Sequence, residues 1–196
     1  MNNPTPETII ILNGTSSSGK SSLCRAFQAI AHRPFMHMDV DAVAEMLPPN
    51  YFGEDDSRWA KVRRFQNGFH KAVCRFSETG HPVIVDQIVV RHGLMQFILE
   101  NYDGFPVYFI GLICPLEELE RREIARKIQP TGLARRQNQG IHLNKVYDLE
   151  LDTHQFASEI CAEQLKQHIQ NHPPFAFDQL RTRLARGGMI GKEDRQ

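Results

Sequence analysis

The residues best suited to chemistry lie in GTSSSGKSS, Gly14 to Ser22. Gly14, Gly19, Lys20 and Ser21 fall on the spacing G-x-x-x-x-G-K-[ST], which cradles phosphate. Each residue type has a reason. A loop that wraps an anion turns its backbone N–H groups inward, and glycine does this cheaply at Gly14 and Gly19. Thr15, Ser16, Ser17 and Ser18 are small enough to let phosphate approach, and a hydroxyl from Ser16 or Ser17 would also reach the γ-phosphate or an acceptor. Lys20 would meet the β- and γ-phosphates, and the Ser21 hydroxyl would ligate Mg²⁺. Ser22 completes the expected nucleotide-binding set, at a helix N-terminus whose partial positive charge favours anions. The alternative, a serine-rich turn that matches by chance, is weakened by context: an apolar run enters the loop and a helical pattern leaves it. The expected donor is ATP with Mg²⁺.

Three further groups bear on what receives the phosphoryl group. The segment MDVDAVAEML sets Asp39 and Asp41 just after a second apolar run. Two carboxylates there would support a metal's water shell and take a proton from an attacking hydroxyl. One of the two, Asp39 or Asp41, would act as the base and the other support the metal; the structural alternative for Asp41 is a helix cap. PVIVDQ ends a strand on Asp86, the place of an acid that supports Mg²⁺. Arg121, Arg122, Arg126, Arg135 and Arg136 follow the fourth apolar run. Arg122 and Arg126 stand four apart on one helical face and would clamp the transferring group, against the alternative of pairing with Glu118 or Glu123. Trp59, beside PPNYFGEDD, is expected in the acceptor pocket, whereas Phe65, Phe69 and Phe76 read as core.

To bring these groups together the chain must alternate strands and helices. Apolar runs at Ile9 to Leu12, Phe35 to Met38, Val83 to Val85, Val107 to Ile113 and Val146 to Leu151 predict strands. Helical periodicity covers Lys20 to Ala31, Asp41 to Leu47, Asp56 to Thr79, Arg91 to Asn101, Pro115 to Lys127 and His154 to Gln170. The last of these carries Phe156, Ile160 and Leu165. QPTGLARRQNQG reads as a loop or mobile flap near residues 128–141. The alternation predicts an α/β fold, a five-stranded parallel sheet with helices on both faces, of the P-loop NTPase type. Residues 1–171 are expected to form one domain. Residues 172–196 are expected to form a tail with one weak helix, Phe177 to Leu184, and a frayed end.

The bulk numbers exclude several classes. The chain has 196 residues, 41% of them hydrophobic, and 23 basic against 23 acidic side chains. Zero formal charge steers the whole protein toward neither nucleic acid nor an anionic membrane. Cys24, Cys74, Cys114 and Cys161 are too scattered for a CxxC pair and read as reduced, buried thiols. No apolar run is long enough to span a bilayer and no signal peptide is indicated, so the expected compartment is the cytoplasm. A homo-oligomer is left open.

In this order, IILNGTSSSGKSSL, VDAVAEMLP, PVIVDQIVV and ERREIARKIQPTGLARRQ…YDLELDTH resemble the chloramphenicol phosphotransferase family, over about Ile9 to Asn171. The resemblance implies a nucleoside-monophosphate-kinase-like P-loop fold. It also implies transfer of the ATP γ-phosphate to a hydroxyl of chloramphenicol or a similar compound, inactivating the antibiotic. On that resemblance Asp41 is the base, Lys20 and Ser21 hold the nucleotide side, Asp86 is the metal-supporting acid, and Arg122, Arg126 and Arg136 fall on basic positions. Asp39 departs from it toward the Asp-x-Asp of shikimate kinase, and Pro48 to Arg58 departs too, so the acceptor is the open part. A second class, a kinase acting on a polynucleotide or tRNA end, would use Arg181, Arg183, Arg186, Lys192 and Arg195. Neutral charge and the lack of an aromatic-basic stripe count against it. A third class, a nucleotide-binding module without transferase activity, is opposed by Asp41, Asp86 and the arginines together.

Overall fold

The structure is a computed structural model that describes residues 5, 7–127, 132–191 and 193. Its centre is β1 (Ile9–Asn13), whose five side chains are all buried. A β-branched run with no polar alternation can only be covered on both faces. Around it lie β2 (Met36–Asp39), β3 (Val83–Gln87), β4 (Val107–Ile113) and β5 (Leu149–Asp152) in the order β2-β3-β1-β4-β5. Every pairing is parallel. The five-stranded α/β architecture expected from the sequence is the one observed.

Alternation along the strands splits the core in two. Ile9, Ile11, Val83, Val85, Val107 and Phe109 face α3 (Arg58–Glu78), α4 (His92–Asn101) and α8 (Ala176–Ala185). Ile10, Leu12, Ile84, Tyr108 and Ile110 face α1 (Lys20–Ile30) and α7 (Ser158–Asn171). The remaining helices, α2 (Val40–Ala44), α5 (Leu116–Ala125) and α6 (Leu133–Asn138), gather at the carboxyl ends of the strands or just beyond. Gly111 is a glycine for a local reason: a Cβ there would stand 2.7 Å from the Tyr147 ring. All four cysteines are buried and free.

Several expectations shift. The fifth strand starts at Leu149 rather than Val146, because Tyr147 crosses Gly111 and Asp148 is used for hydrogen bonding. The sixth predicted helix starts at Ser158, since the Asp152 carboxylate accepts from His154 N (2.9 Å) and Gln155 N (3.0 Å) and holds a turn there. Its buried stripe is accordingly Cys161, Ala162, Leu165 and Ile169, while Phe156 and Ile160 are exposed. In α3, Phe69 is core, but Phe76 is 39% exposed and Phe65 is only partly buried, edge-on to Phe52.

The tail is not an appendage over residues 176–190. Ala176, Phe177, Leu180 and Ile190 are buried in the same cluster as β1 and β4. Asp148 makes the join: its carboxylate accepts from Phe109 N (2.7 Å), Phe175 N (2.6 Å) and Ala176 N (3.0 Å). Lys192 and Arg195 lie outside the described residues.

His70, fully buried in α3, shares a 2.7 Å hydrogen bond with the Tyr102 hydroxyl. Burial depresses its pKa to about 3. The unfolded chain takes up that proton near pH 6.5 and the folded chain resists it. Stability is therefore expected to fall as pH drops from about 6.5 toward 3, by up to about 1.4 kcal/mol per pH unit from this one group. Urea midpoints measured from pH 7 to pH 4 should decline less steeply in His70→Gln than in the wild type.

Candidate active site

The phosphate loop joins β1 to α1 with the geometry its residues require. At Gly14 a Cβ would stand 2.5 Å from Ser18 Oγ and 3.0 Å from Leu112 Cβ. Gly19 has φ +94° and Ser17, not a glycine, has φ +64°, a conformation that costs a side chain energy and is held by its surroundings. Ser18 N donates to Thr15 O at 3.2 Å and closes the turn. Ser17 Oγ and Ser18 Oγ are buried without a hydrogen-bond partner among the described residues. Buried hydroxyls of that kind normally find partners, so the loop is shaped to receive oxygen-rich groups.

Lys20 curls under the loop and donates to Gly14 O (3.2 Å) and Thr15 O (3.0 Å). Its Nζ lies 3.7 Å from Asp86 Oδ1, and Ser21 Oγ donates to Asp86 Oδ2 at 2.6 Å. Burial lowers the Lys20 pKa, and the carboxylates of Asp86, Asp41 and Asp39 work against that fall. The structure thus brings Lys20, Ser21 and Asp86 into one buried cluster. Asp86 reaches it from β3, which carries it as expected and ends one residue later, at Gln87.

Asp39, not Asp41, caps α2: its Oδ1 accepts from Asp41 N (2.9 Å) and Ala42 N (3.4 Å). This frees the Asp41 carboxylate, which lies at the rim of an open cleft of about 660 Å³. Loss of solvation, then the charge of Asp39, holds Asp41 above its ordinary pKa, although Lys20 pulls the other way. The cleft is lined by Tyr51, Phe52, Glu45, Glu54 and Arg58. Trp59 is not among its walls. With α3 starting at Arg58, that ring is left 54% exposed under the Arg91 guanidinium.

A second depression, about 560 Å³, borders the loop itself. Ser17, Gly19, Lys20, Ser21 and Ser22 line it together with Arg122, Arg126 and the turn from Thr153 to Ser158. Arg122 is fixed by Glu118 Oε1 (2.6 Å) and Thr153 O (2.7 Å). Arg126 is exposed at the C-cap of α5. Arg121 pairs with Glu118 and Arg135 with Glu120. Arg136 is exposed on α6 and lines neither cavity.

Residues 7–170 match the sequence profile of the family described as chloramphenicol phosphotransferase-like protein. The chain belongs to this family. Among curated relatives, this phosphotransferase-like chain is 29% identical to a Mycobacterium tuberculosis protein provisionally named an O-phosphotransferase, over 90% of its own length and 88% of the relative's. Its fold is that of P-loop kinases. The APS kinase of M. tuberculosis, solved with AMPPNP and APS, superposes with a TM-score of 0.67 at 18% identity, covering 86% of this chain and 99% of that one. Shikimate kinase from Acinetobacter baumannii does so with 0.59 at 14%, covering 86% and 94%. Family and fold together make the chloramphenicol phosphotransferase-like chain a kinase-type phosphotransferase. Among its described residues no helix is long and apolar enough to cross a membrane.

Sequence reasoning missed how this phosphotransferase-like chain builds its flap. Residues 128–131 of the expected flap lie outside the described residues, but Leu133–Asn138 is helical. Glu123, 2% exposed, accepts from Gly132 N (2.9 Å), Leu133 N (3.0 Å) and Ala134 N (3.3 Å), so one buried carboxylate caps α6 from ten residues upstream. Gln137 was missed as well: its Oε1 accepts from Ser16 N at 2.7 Å and ties α6 to the loop. An amide side chain among polar neighbours gives no sequence signal for such a contact. Because α6 touches the loop, amide exchange over Leu133–Asn138 is expected to slow when a nonhydrolysable ATP analogue is added. Glu123→Ala should raise that exchange in the free protein, as read by mass spectrometry.

Proposed function

We propose that this protein moves the γ-phosphoryl group of ATP to a hydroxyl of a small molecule, chloramphenicol or a compound like it. The observation that carries the reading is the cluster of Lys20, Ser21 and Asp86 beneath the loop, with the Asp41 carboxylate at the rim of a separate cleft. In this reading the nucleotide occupies the loop, Gly14 to Ser22, and the depression beside Arg122 and Arg126. The acceptor occupies the cleft beside Asp41, where Tyr51 and Phe52 offer aromatic surface. Asp41 takes the acceptor's hydroxyl proton. The oxygen then forms its bond to the γ-phosphorus while the bond to the bridging oxygen breaks and ADP leaves. Lys20, Arg122 and Arg126 meet the negative charge spread over the transferring oxygens.

The oxygen donors of Ser21 and Asp86, in contact with each other, fit a hard cation. Ser21, Asp86 and, from the cap of α2, Asp39 would hold Mg²⁺, which supplies charge neutralisation at the phosphates when bound. Asp41 keeps a carboxylate suited to proton transfer because Asp39 has taken over the capping. The test is a transfer screen with γ-labelled ATP against chloramphenicol, other hydroxyl-bearing antibiotics and small alcohols. A labelled product that requires the acceptor's hydroxyl is the expected result. ATP turnover without transfer to any acceptor would overturn it.

A further inference from the structure

One cluster beside the phosphate loop joins Asp86 to two residues, Cys24 and His37, that the proposed transfer chemistry does not use. Cys24 on α1, His37 on β2 and Asp86 on β3 offer a sulfur, a ring nitrogen and a carboxylate oxygen, all within 4.8 Å of one another. Strand register explains their meeting. His37 pairs with Ile84, whose side chain faces α1, and Asp86 follows two residues later on the same face. Helix α1 crosses that face and brings Cys24 one turn beyond Lys20. Cys24 is fully buried and Asp86 is 5% exposed. His37 Nε2 is buried and has no hydrogen-bond partner among the described residues. A ring nitrogen withdrawn from water and left unpaired carries a desolvation cost that a bound ligand would relieve.

We propose that Cys24, His37 and Asp86 form a site for a thiophilic divalent cation, with zinc as the reference ion, which competes with the nucleotide for Asp86. The donor set selects the ion. Thiolate, imidazole and carboxylate together suit zinc, whereas Mg²⁺ requires oxygens in an octahedron. Three protein ligands leave the fourth tetrahedral position open, the arrangement of an exchangeable site rather than a structural one. Zinc bonds of about 2.0 to 2.3 Å place ligands about 3.5 Å apart, and the three donor atoms already lie within 4.8 Å of one another. Burial holds the Cys24 thiol protonated. As the zinc–sulfur bond forms, that proton passes to solvent and no electron changes hands. The Asp86 oxygen turned to zinc is withdrawn from Ser21 Oγ or from Lys20, at 2.6 and 3.7 Å respectively. The competition rests on the proposed role of Lys20, Ser21 and Asp86 in holding the nucleotide; the cation site does not.

The test uses the full chain and Co²⁺ as a spectroscopic probe for zinc, under anaerobic conditions. A sulfur-to-cobalt charge-transfer band in the near ultraviolet is expected to saturate at one equivalent and to be displaced by zinc. It should be lost in Cys24→Ala. In His37→Ala the cobalt affinity should fall by more than about tenfold, since even partners outside the ligand set are worth 10- to 100-fold. No band in the wild type, or a band that survives Cys24→Ala, overturns the site. If Cys24→Ala fails to fold by circular dichroism, His37→Gln at a half-buried position decides by affinity: a fall in cobalt affinity of more than about tenfold is expected, and an unchanged affinity overturns the site. Buffered free zinc should also weaken binding of a fluorescent ATP analogue to the wild type but not to Cys24→Ala. Unchanged binding beside an intact cobalt band overturns the competition alone. Failure of the wild type to bind the analogue without zinc overturns the nucleotide reading and leaves the cobalt result standing.

Discussion

Asp41→Ala is expected to lower phosphoryl transfer by a factor of about 10² to 10⁴, the range a positioned general base contributes, with nucleotide affinity nearly unchanged. The separation follows from the two cavities. Asp41 lines the cleft assigned to the acceptor and is absent from the depression beside Arg122 and Arg126. Its influence on the nucleotide side passes through charge alone, by attraction for Lys20 and repulsion from Asp39 and Asp86. The pH profile gives the same test a second reading. Loss of solvation and the Asp39 charge raise the Asp41 pKa, so the acid limb of kcat/KM should lie above the ordinary aspartate value of about 3.9. As pH falls through that limb Asp41 takes up its proton and can no longer accept the acceptor's, so transfer declines. The limb should vanish from the residual activity of Asp41→Asn. Normal transfer by Asp41→Ala, measured with γ-labelled ATP and a confirmed acceptor, would overturn the assignment.

Lys20→Ala should behave differently, weakening nucleotide affinity and turnover together. Removing one donor aimed at developing charge commonly costs about 10² to 10³ in kcat. Here the same side chain also braces the loop through Gly14 O and Thr15 O. Its loss leaves Asp86 buried with Ser21 as its remaining close partner, and a buried charge without its counter-ion is destabilising. Calorimetric titration with a nonhydrolysable analogue and single-turnover kinetics separate the two effects. Lost turnover with intact affinity would confine Lys20 to the chemical step.

The phosphate loop was legible because its demands are local: the residues that shape it lie within nine positions and their types follow from backbone geometry. Sheet type was legible for a similar reason, since runs such as IIILN admit only a strand covered on both faces. What stayed hidden depends on partners distant in sequence. Glu123 reads as one more helix-surface acid until Gly132 folds back onto it. Asp148 reads as an acid inside a predicted strand until Phe109 and Phe175 converge on it. Asp39 and Asp41 are chemically alike and two residues apart, and only the path into α2 decides which one caps. Trp59 misled because lying beside PPNYFGEDD in sequence does not fix where the ring points, and α3 turns it to the surface under Arg91. Cys24 and His37 have no spacing motif because three different elements bring them to Asp86.

Asp148 also has a consequence for the order in which the protein is made. It fastens β4 to the start of α8, and α8 covers Val107 and Phe109. A ribosome releases the phosphate loop first and this cover more than 150 residues later. Until α8 emerges, the part of that face that α3 and α4 leave open, around Val107 and Phe109, stays uncovered, and the nascent chain carries its active-site loop on an unfinished core. A premature stop near residue 172 would leave every proposed catalytic residue in the product, yet the product should be captured by chaperones or aggregate rather than accumulate as a shortened enzyme.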